Sequence, residues 1–362
     1  MFLGFGEIMM RVAPPGRLRF RQAMPGAVDV TFAGAEANVC ASLAMFGRPA
    51  RYVTALPRGP VADAVVGVLD GLRVDTRHIL RRDVGRLGIY FVEVGANQRG
   101  GVVVYDRDHS AISLAESQEY GFEQALEGVS WVHLTGITPS LSERAFVATL
   151  SLAALAKERG LTVSCDLNFR KKLWRWRQGV APKQLARECM GRLLPKVDLL
   201  IANEEDAADV LDIHAEGTNI ESGRINALAY EQVARTIVER FPNLRHVAVT
   251  LRESVSADHN NWGGMLYEAG AKKAHFAPLD HDGNYRPYEI RDIVDRVGAG
   301  DSFGAGLLYA LTSQEHASPA AAVRFAVAAS CLKHSILGDF NFSTVDEVTA
   351  LIEGAGTGRV RR

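Results

Sequence analysis

The sequence predicts an α/β fold: a ribbon of mostly parallel strands sandwiched by helices, with a small β-strand lid. Three observations predict it. From Val129 onward, short apolar runs alternate with helical stretches, the rhythm of βαβ units. Residues 1–110 are instead rich in strand patterns, several of them half polar, as expected of strands with one wet face. The 362 residues are 47% hydrophobic and 23% charged, which supports a large core and argues against disorder. We therefore expect one domain over residues 1–362, with lid strands from about 11–33 and 86–110.

The elements follow in order. Phe2 to Met10 is a nearly continuous apolar run and reads as a buried strand. Arg17 to Phe32 carries turn signals and broken alternation. Ala35 to Phe46 predicts a helix stopped by Gly47. Leu87 to Val94 and Val102 to Tyr105 read as paired strands, joined by a Gly-Ala-Asn-Gln-Arg-Gly-Gly turn. Strands are then expected at Trp131–Leu134, Leu161–Asp166, Leu199–Ile201 and Val247–Leu251, with helices at Ser142–Arg159, Leu185–Leu194 and Tyr230–Phe241. His214 to Asn226 and Ser256 to Arg286 are polar and turn-rich, and read as surface insertions. Ligands of such sheets sit beyond the carboxyl ends of the strands.

Several function classes fall away. A formal net charge of −1 does not suit nucleic acid or an anionic membrane as main partner. The basic tail Arg359, Arg361 and Arg362 reads as a solvated end. Cys40, Cys165, Cys189 and Cys331 are scattered and form no C-x-x-C pair, so we expect free thiols and a cytoplasmic location. The amino-terminal run lacks a basic flank and reads as a strand rather than a signal peptide, and no 18-residue apolar run offers a membrane span. The ten histidines make no H-E-x-x-H cluster. Gly4-Phe5-Gly6 lacks the third glycine and the acidic residue of a dinucleotide fingerprint, and there is no P-loop.

The most informative stretch is Ile293 to Phe303, which contains Asp295-Arg296-Val297-Gly298-Ala299-Gly300-Asp301. We expect a strand ending at Asp295, a glycine turn, and a helix beginning near Asp301. Gly298 and Gly300 let the backbone turn and approach a ligand closely. Free N–H groups at the helix start then form an anion site, suited to a transferring phosphoryl group. Asp301 places a base beside it, and phosphoryl transfer needs that combination. The same pattern also suits a plain glycine turn with an N-capping Asp.

This segment resembles the D-x-x-G-A-G-D signature of the ribokinase-like (PfkB) carbohydrate kinases. Gly34-Ala35-Glu36-Ala37-Asn38 and the residues after it resemble the family's other signature, at the start of a helix. The two lie far apart in the expected order, and the flap-like strands lie where the family places its lid. The resemblance implies a ribokinase-like fold, ATP and Mg2+ as cofactors, and Asp301 as catalytic base with an anion hole at Gly298, Ala299 and Gly300. Within the family the chain looks most like the 2-keto-3-deoxygluconate kinases, at Arg86 to Arg107, Asp166-Leu167-Asn168-Phe169-Arg170, Asp295-Arg296-Val297 and Cys331 to Phe342. The resemblance then implies substrate contacts from Gly34, Asn38, Tyr90, Tyr105, Arg107 and Arg170. A carboxylate substrate suits guanidinium donors, and Arg11 stands where neutral-sugar members often place an Asp.

For nucleotide and metal, the resemblance points to Asn203, Thr250 and Arg252 beside ATP, and to Asp206, Glu205 and Asp295 for metal. Family members often bind a monovalent cation such as K+ near the equivalent of Asp295. Departures are visible: Asp206 replaces the usual Glu, Arg252 the usual Gly, and Arg296 the usual Thr. Two alternatives stay open, a fructokinase-like or other sugar or nucleoside kinase, and a catalytically silent sugar-binding or regulatory protein, although the latter has no need of Asp301. Family members often dimerise through the lid, so a homodimer is expected.

Overall fold

The computed structural model describes residues 1–203, 205–214 and 227–354. The expected insertion at 214–226, except His214, and the basic tail lie outside these residues. Among the described residues a ten-stranded sheet runs in the order Lys273–Ala277, His259–Glu268, His246–Ser256, Leu199–Ala202, Thr162–Asp166, Trp131–Thr135, Phe2–Phe5, Ala50–Val53, Val74–Asp75, with Tyr288–Ile290 paired to His259–Glu268. The pairings from His246–Ser256 through to Val74–Asp75 are parallel, and those of His259–Glu268 are antiparallel.

Strands buried on both faces explain the continuous apolar runs. Leu200 and Ala202 belong to the core cluster that holds Phe146, Leu185 and Tyr230 of the helices Glu143–Glu158, Pro182–Leu193 and Ala227–Arg240. Their neighbours Leu199 and Ile201 belong to the opposite cluster, with Val39, Phe303 and Phe325 of the helices Ala35–Met45, Ala299–Leu311 and Pro319–Lys333. Side chains alternate sides along a strand, so one short run feeds two cores. Among the described residues no helix is long and apolar enough to cross a membrane.

The apolar run Phe2 to Met10 is divided rather than continuous. Phe2–Phe5 lies in the main sheet, and Met9–Ala13 leaves it to join a four-stranded lid ordered Asp29–Ala33, Met9–Ala13, Gly88–Glu93, Val102–Asp106. Close packing dictates the glycines before the break. A Cβ at Gly6 would lie 2.0 Å from the buried Glu36 carboxylate, and one at Gly4 2.7 Å from Cys40 Sγ. These glycines admit a helix start against the first strand, where a dinucleotide fingerprint would instead use them to approach a pyrophosphate.

Two further expectations are corrected. Ser256 to Arg286 is not a surface insertion: about half of it forms the strands His259–Glu268 and Lys273–Ala277 of the main sheet. Its Asn and Gly residues obscure the alternation, yet Trp262, Met265 and Leu266 are buried. No strand ends at Asp295 either; Ile293 to Val297 is irregular, and the helix starts earlier, at Ala299. The N–H groups there reach the Asp258 and His334 carbonyls instead of a strand partner, and the Asp295 side chain accepts from the Val297 N–H.

Arg51 ties the far edge of the sheet together. Its Nε donates to Asp75 Oδ2 at 2.9 Å and its Nη1 to the Ala125 and Glu127 carbonyls at 2.6 and 3.0 Å, with the guanidinium 5% exposed. Arg51→Ala strands two carbonyls and leaves Asp75 to Arg77 alone, so urea denaturation should show a loss of about 2 kcal/mol; a change well under that would show the tie to be dispensable.

Candidate active site

The carboxyl ends of the central strands, the start of the helix Ala299–Leu311 and the underside of the lid enclose a cavity of about 320 Å3. That is the scale of a small polar metabolite. Gly298 caps the helix with φ of 85°, in the left-handed region, and a Cβ there would lie 2.1 Å from the Asp339 carbonyl oxygen. Glycine is therefore required by both conformation and space. The Ala299 N–H reaches the Arg296 carbonyl at 3.4 Å, while those of Gly300 and Asp301 have no acceptors within the helix and lie at the cavity wall with the helix dipole behind them.

Asp301 sits in this first turn. Its Oδ2 accepts a hydrogen bond of 2.6 Å from Asn38 Nδ2, while Asn38 Oδ1 accepts from the Gly34 N–H at 3.3 Å. The two bonds fix which way the Asn38 amide points. Burial pushes the Asp301 carboxyl up to about 6; the Asn38 bond opposes that rise, and the negative charge of Asp339 adds to it. A carboxylate so placed still ionises near neutral pH and is basic enough to take a hydroxyl proton. Gly34 itself cannot carry a side chain, because a Cβ there would lie 2.1 Å from the Glu7 carbonyl oxygen.

The substrate-side residues named from the sequence divide in two. Gly34, Asn38, Tyr90, Tyr105, Arg107 and Arg170 all line the cavity. Arg170 follows the strand Thr162–Asp166, and its charge opposes the raised values of Asp166, Asp206 and Asp301. Arg107 donates through Nε to Glu7 Oε2 at 2.6 Å and lies over the Tyr105 ring at 5.4 Å. Tyr90 donates to Asp339 at 2.8 Å. Arg11 is the exception. It does not line the cavity: its guanidinium, 3% exposed, pairs with Asp295 and Asp339 at 2.5 Å each. An arginine on a lid strand has two buried carboxylates beneath it, and they claim it before a substrate can.

Among the nucleotide-side residues, Asn203, Thr250 and Arg252 line the cavity, and Thr250 and Arg252 lie on the uninterrupted strand His246–Ser256. The expected metal residues are displaced. Asp206 is buried, its two oxygens accepting from the Phe169 and Asn203 N–H groups at 3.1 and 3.2 Å, so the shorter side chain turns inward. Glu205 is exposed and lies off the cavity. Asp295 holds Arg11 and the Val297 and Gly338 N–H groups, so both its oxygens already have partners. For Mg2+ the cavity offers a different residue, Asp166. Burial raises its carboxyl, and the neighbouring charges of Asp206 and Asp301 raise it further. One cavity carboxylate beside nucleotide phosphates is the oxygen-rich setting that Mg2+ takes, so the donor set fits.

Sequence reasoning assigned no role to Asp166, Asn260, Trp262, Arg296, His334 or Asp339, all of which line the cavity. Asp166, His334 and Asp339 lie in stretches whose resemblance was legible, so a signal existed for them. Trp262 and Asn260 lie in the segment misread as an insertion and gave none.

The chain matches the pfkB family carbohydrate kinases over residues 5–240 and 265–339. The gap between these spans falls on the strands that carry Arg252 and Trp262. The 2-dehydro-3-deoxygluconokinase of Thermotoga maritima has a crystal structure that superposes with a TM-score of 0.87 at 42% identity, covering 98% of this chain and 99% of that one. A PfkB family carbohydrate kinase from Listeria grayi gives 0.84 at 31%, covering 97% and 99%. The 2-dehydro-3-deoxygalactonokinase of Haloferax volcanii is 30% identical over 354 residues, 98% of this chain and 97% of the relative. With the glycine turn, the Asn38–Asp301 pair and a lid over one cavity, the chain belongs to the pfkB family carbohydrate kinases, and it is a sugar kinase.

Proposed function

We propose that the chain transfers the γ-phosphoryl group of ATP to the terminal hydroxyl of a 2-keto-3-deoxy sugar acid, 2-keto-3-deoxygluconate giving its 6-phosphate. The observation that carries this reading is one cavity lined both by Asp301 with the glycine turn and by Arg107 and Arg170. A base beside an anion site supports phosphoryl transfer, and guanidinium groups support an acid substrate. The names of the Thermotoga and Haloferax proteins support the same substrate class. The galactonate epimer is the second reading, favoured by the Haloferax name.

In the mechanism, Arg170 and Arg107 orient the carboxylate end, and the hydroxyl at the other end lies against Asp301. As that oxygen bonds to the γ-phosphorus and the bond to the ADP oxygen breaks, its proton passes to Asp301 Oδ. The helix amides from Gly298 to Gly300 hold the negative charge that develops on the transferring group. Asn38 keeps the carboxylate aimed, and the lid excludes water that would otherwise accept the phosphoryl group. Mg2+ bound with ATP beside Asp166 would neutralise phosphate charge.

We also infer a homodimer through the outer lid face. Val30, Val12, Phe91 and Val104 lie in register across the four strands, and Val30 and Val104 are 52% and 55% exposed. Val12 is buried and Phe91 packs against Phe20, so the exposed Val30 and Val104 are what a second copy would cover with a matching face. Sedimentation should give a dimer that Val104→Lys shifts toward monomer; a wild-type monomer at micromolar concentration would exclude the interface.

Asp301→Asn should retain ATP binding while kcat falls about 10²–10⁴-fold. In the wild type kcat should decline as pH drops below about 6, because the raised Asp301 carboxyl then holds its proton. Asn38→Ala removes the bond that lowers this value, so the acid limb should move to higher pH. A pH profile unchanged in that variant would remove Asp301 from the role of base.

ADP release with Mg-ATP across 2-keto-3-deoxygluconate, 2-keto-3-deoxygalactonate, fructose and ribose tests the substrate. Keto-deoxy acids should be preferred, and Arg170→Ala should raise KM for them by about 10–100-fold while changing that for neutral sugars little. Preference for fructose would keep the kinase and overturn the acid substrate.

A further inference from the structure

Behind the glycine turn lies a buried cluster of four ionisable groups drawn from distant parts of the chain. Arg11 comes from a lid strand, Asp295 from the loop before the turn, Lys333 from the end of the helix Pro319–Lys333, and Asp339 from the loop after it. All four are buried. Arg11 Nη2 meets Asp295 Oδ2, and Nη1 meets Asp339 Oδ1, both at 2.5 Å. Lys333 Nζ donates to the Ile336 carbonyl at 3.0 Å, a group on the same loop as Gly338 and Asp339.

The remaining capacity of the carboxylates is also used. Asp295 Oδ1 accepts from the Val297 N–H at 3.0 Å and Oδ2 from the Gly338 N–H at 3.1 Å, and Asp339 takes the Tyr90 hydroxyl. Arg11 thus pairs with both carboxylates, while Lys333, whose charge burial disfavours, acts on them through space without pairing with either. The oxygens of Asp295 and Asp339 already have partners, so an additional buried cation would have to displace one of them to offset its desolvation. Burial disfavours charge on Arg11, but Asp339 and Asp295 outweigh it, so the guanidinium stays charged.

We propose that Arg11, with Lys333 beside it, is the built-in cation of the catalytic turn, so that phosphoryl transfer by this chain depends on no bound monovalent ion. The inference rests on the kinase reading. Arg11 acts as a positioning residue. Through Asp295 it holds the Val297 N–H that begins the turn, and through Asp339 it holds the loop whose carbonyl abuts Gly298. Because Arg11 belongs to the lid strand, the cation also ties the lid to the anion site. A dissociable ion would hold the turn without holding the lid.

The test uses the purified full chain in KCl, NaCl and choline chloride at equal ionic strength, with both kcat and Tm measured. Wild-type kcat should vary by less than about twofold among the salts, and Tm should be equal in KCl and choline chloride, since an ion that binds the native state would raise it. Arg11→Ala should lower kcat by about 10²-fold with a smaller change in KM, and millimolar guanidinium or K+ should restore part of that loss where choline does not. Activation of the wild type by K+ of about tenfold, a Tm raised by K+, or an Arg11→Ala variant with full activity in every salt would each overturn the proposal. If Arg11→Ala fails to fold, the wild-type series decides alone. If no sugar is turned over in any salt, the kinase reading fails, while the Tm comparison still decides the cation question.

Discussion

The hydrogen bond from Asn38 to Asp301 joins side chains 263 residues apart, and the working geometry of the cavity depends on it. Neither partner reaches the other by local structure. Asn38 is carried by a helix pressed against the first strand through Gly4 and Gly6, and Asp301 by a helix whose start is turned by Gly298 against the Asp339 carbonyl. Helix starts approach this closely only where side chains are absent, so the small residues of both motifs are packing requirements before they are chemical ones. The bond then settles the chemistry: it aims the carboxylate and moderates the rise that burial imposes on it.

Electrostatic balance is the second constraint. Asp166 and Asp301 line the cavity with Asp206 buried behind them, and burial raises all three. Such a site repels the phosphates it is meant to receive unless cations offset it. Arg170 faces these carboxylates from within the cavity, and Lys333 acts on Asp301 from behind. Asp206 relieves part of the load by turning inward onto two backbone N–H groups. The missing methylene relative to Glu is thus compatible with an inward, loop-bracing role.

Much of the fold was legible because parallel strands buried on both faces leave continuous apolar runs, and helices covering them end at Gly47 and Gly160, both in the left-handed region. The site was legible where its residues fall in compact motifs, as with Asn38, Arg170 and Gly298 to Asp301. It was not legible where a role depends on what lies across the fold. The environment of Arg11 is set by Asp295 and Asp339, and no local pattern announces a partner 328 residues away. Phe2 to Met10 misled for a related reason: apolar character is the same on both sides of a bend, so a strand that changes sheets looks like one strand. The strands after Ser256 were hidden because Asn and Gly fill positions where the hairpin packs closely, as at Gly264, whose Cβ would lie 2.8 Å from the Phe303 ring.

The departures from the family motifs become coherent when taken together. Arg296, standing where Thr is usual, donates to the Ser256 and Ala257 carbonyls and to Asn260 Oδ1. These groups form the tip of the long hairpin His246–Ser256 and His259–Glu268, and that tip touches the lid. Ala257 donates to the Asn97 carbonyl, and Asp258 accepts from the Asn97 N–H and from Arg17. The hairpin also carries Arg252 in the place of a glycine. A glycine loop can close over phosphates only by staying short and flexible, whereas an extended hairpin reaches the lid and needs an anchor at its tip. Arg296 provides that anchor from the residue beside Asp295. Arg11 and Arg296 therefore bind opposite sides of the same turn to the lid, one directly and one through the hairpin, and the catalytic helix start is held by the elements that enclose its substrate.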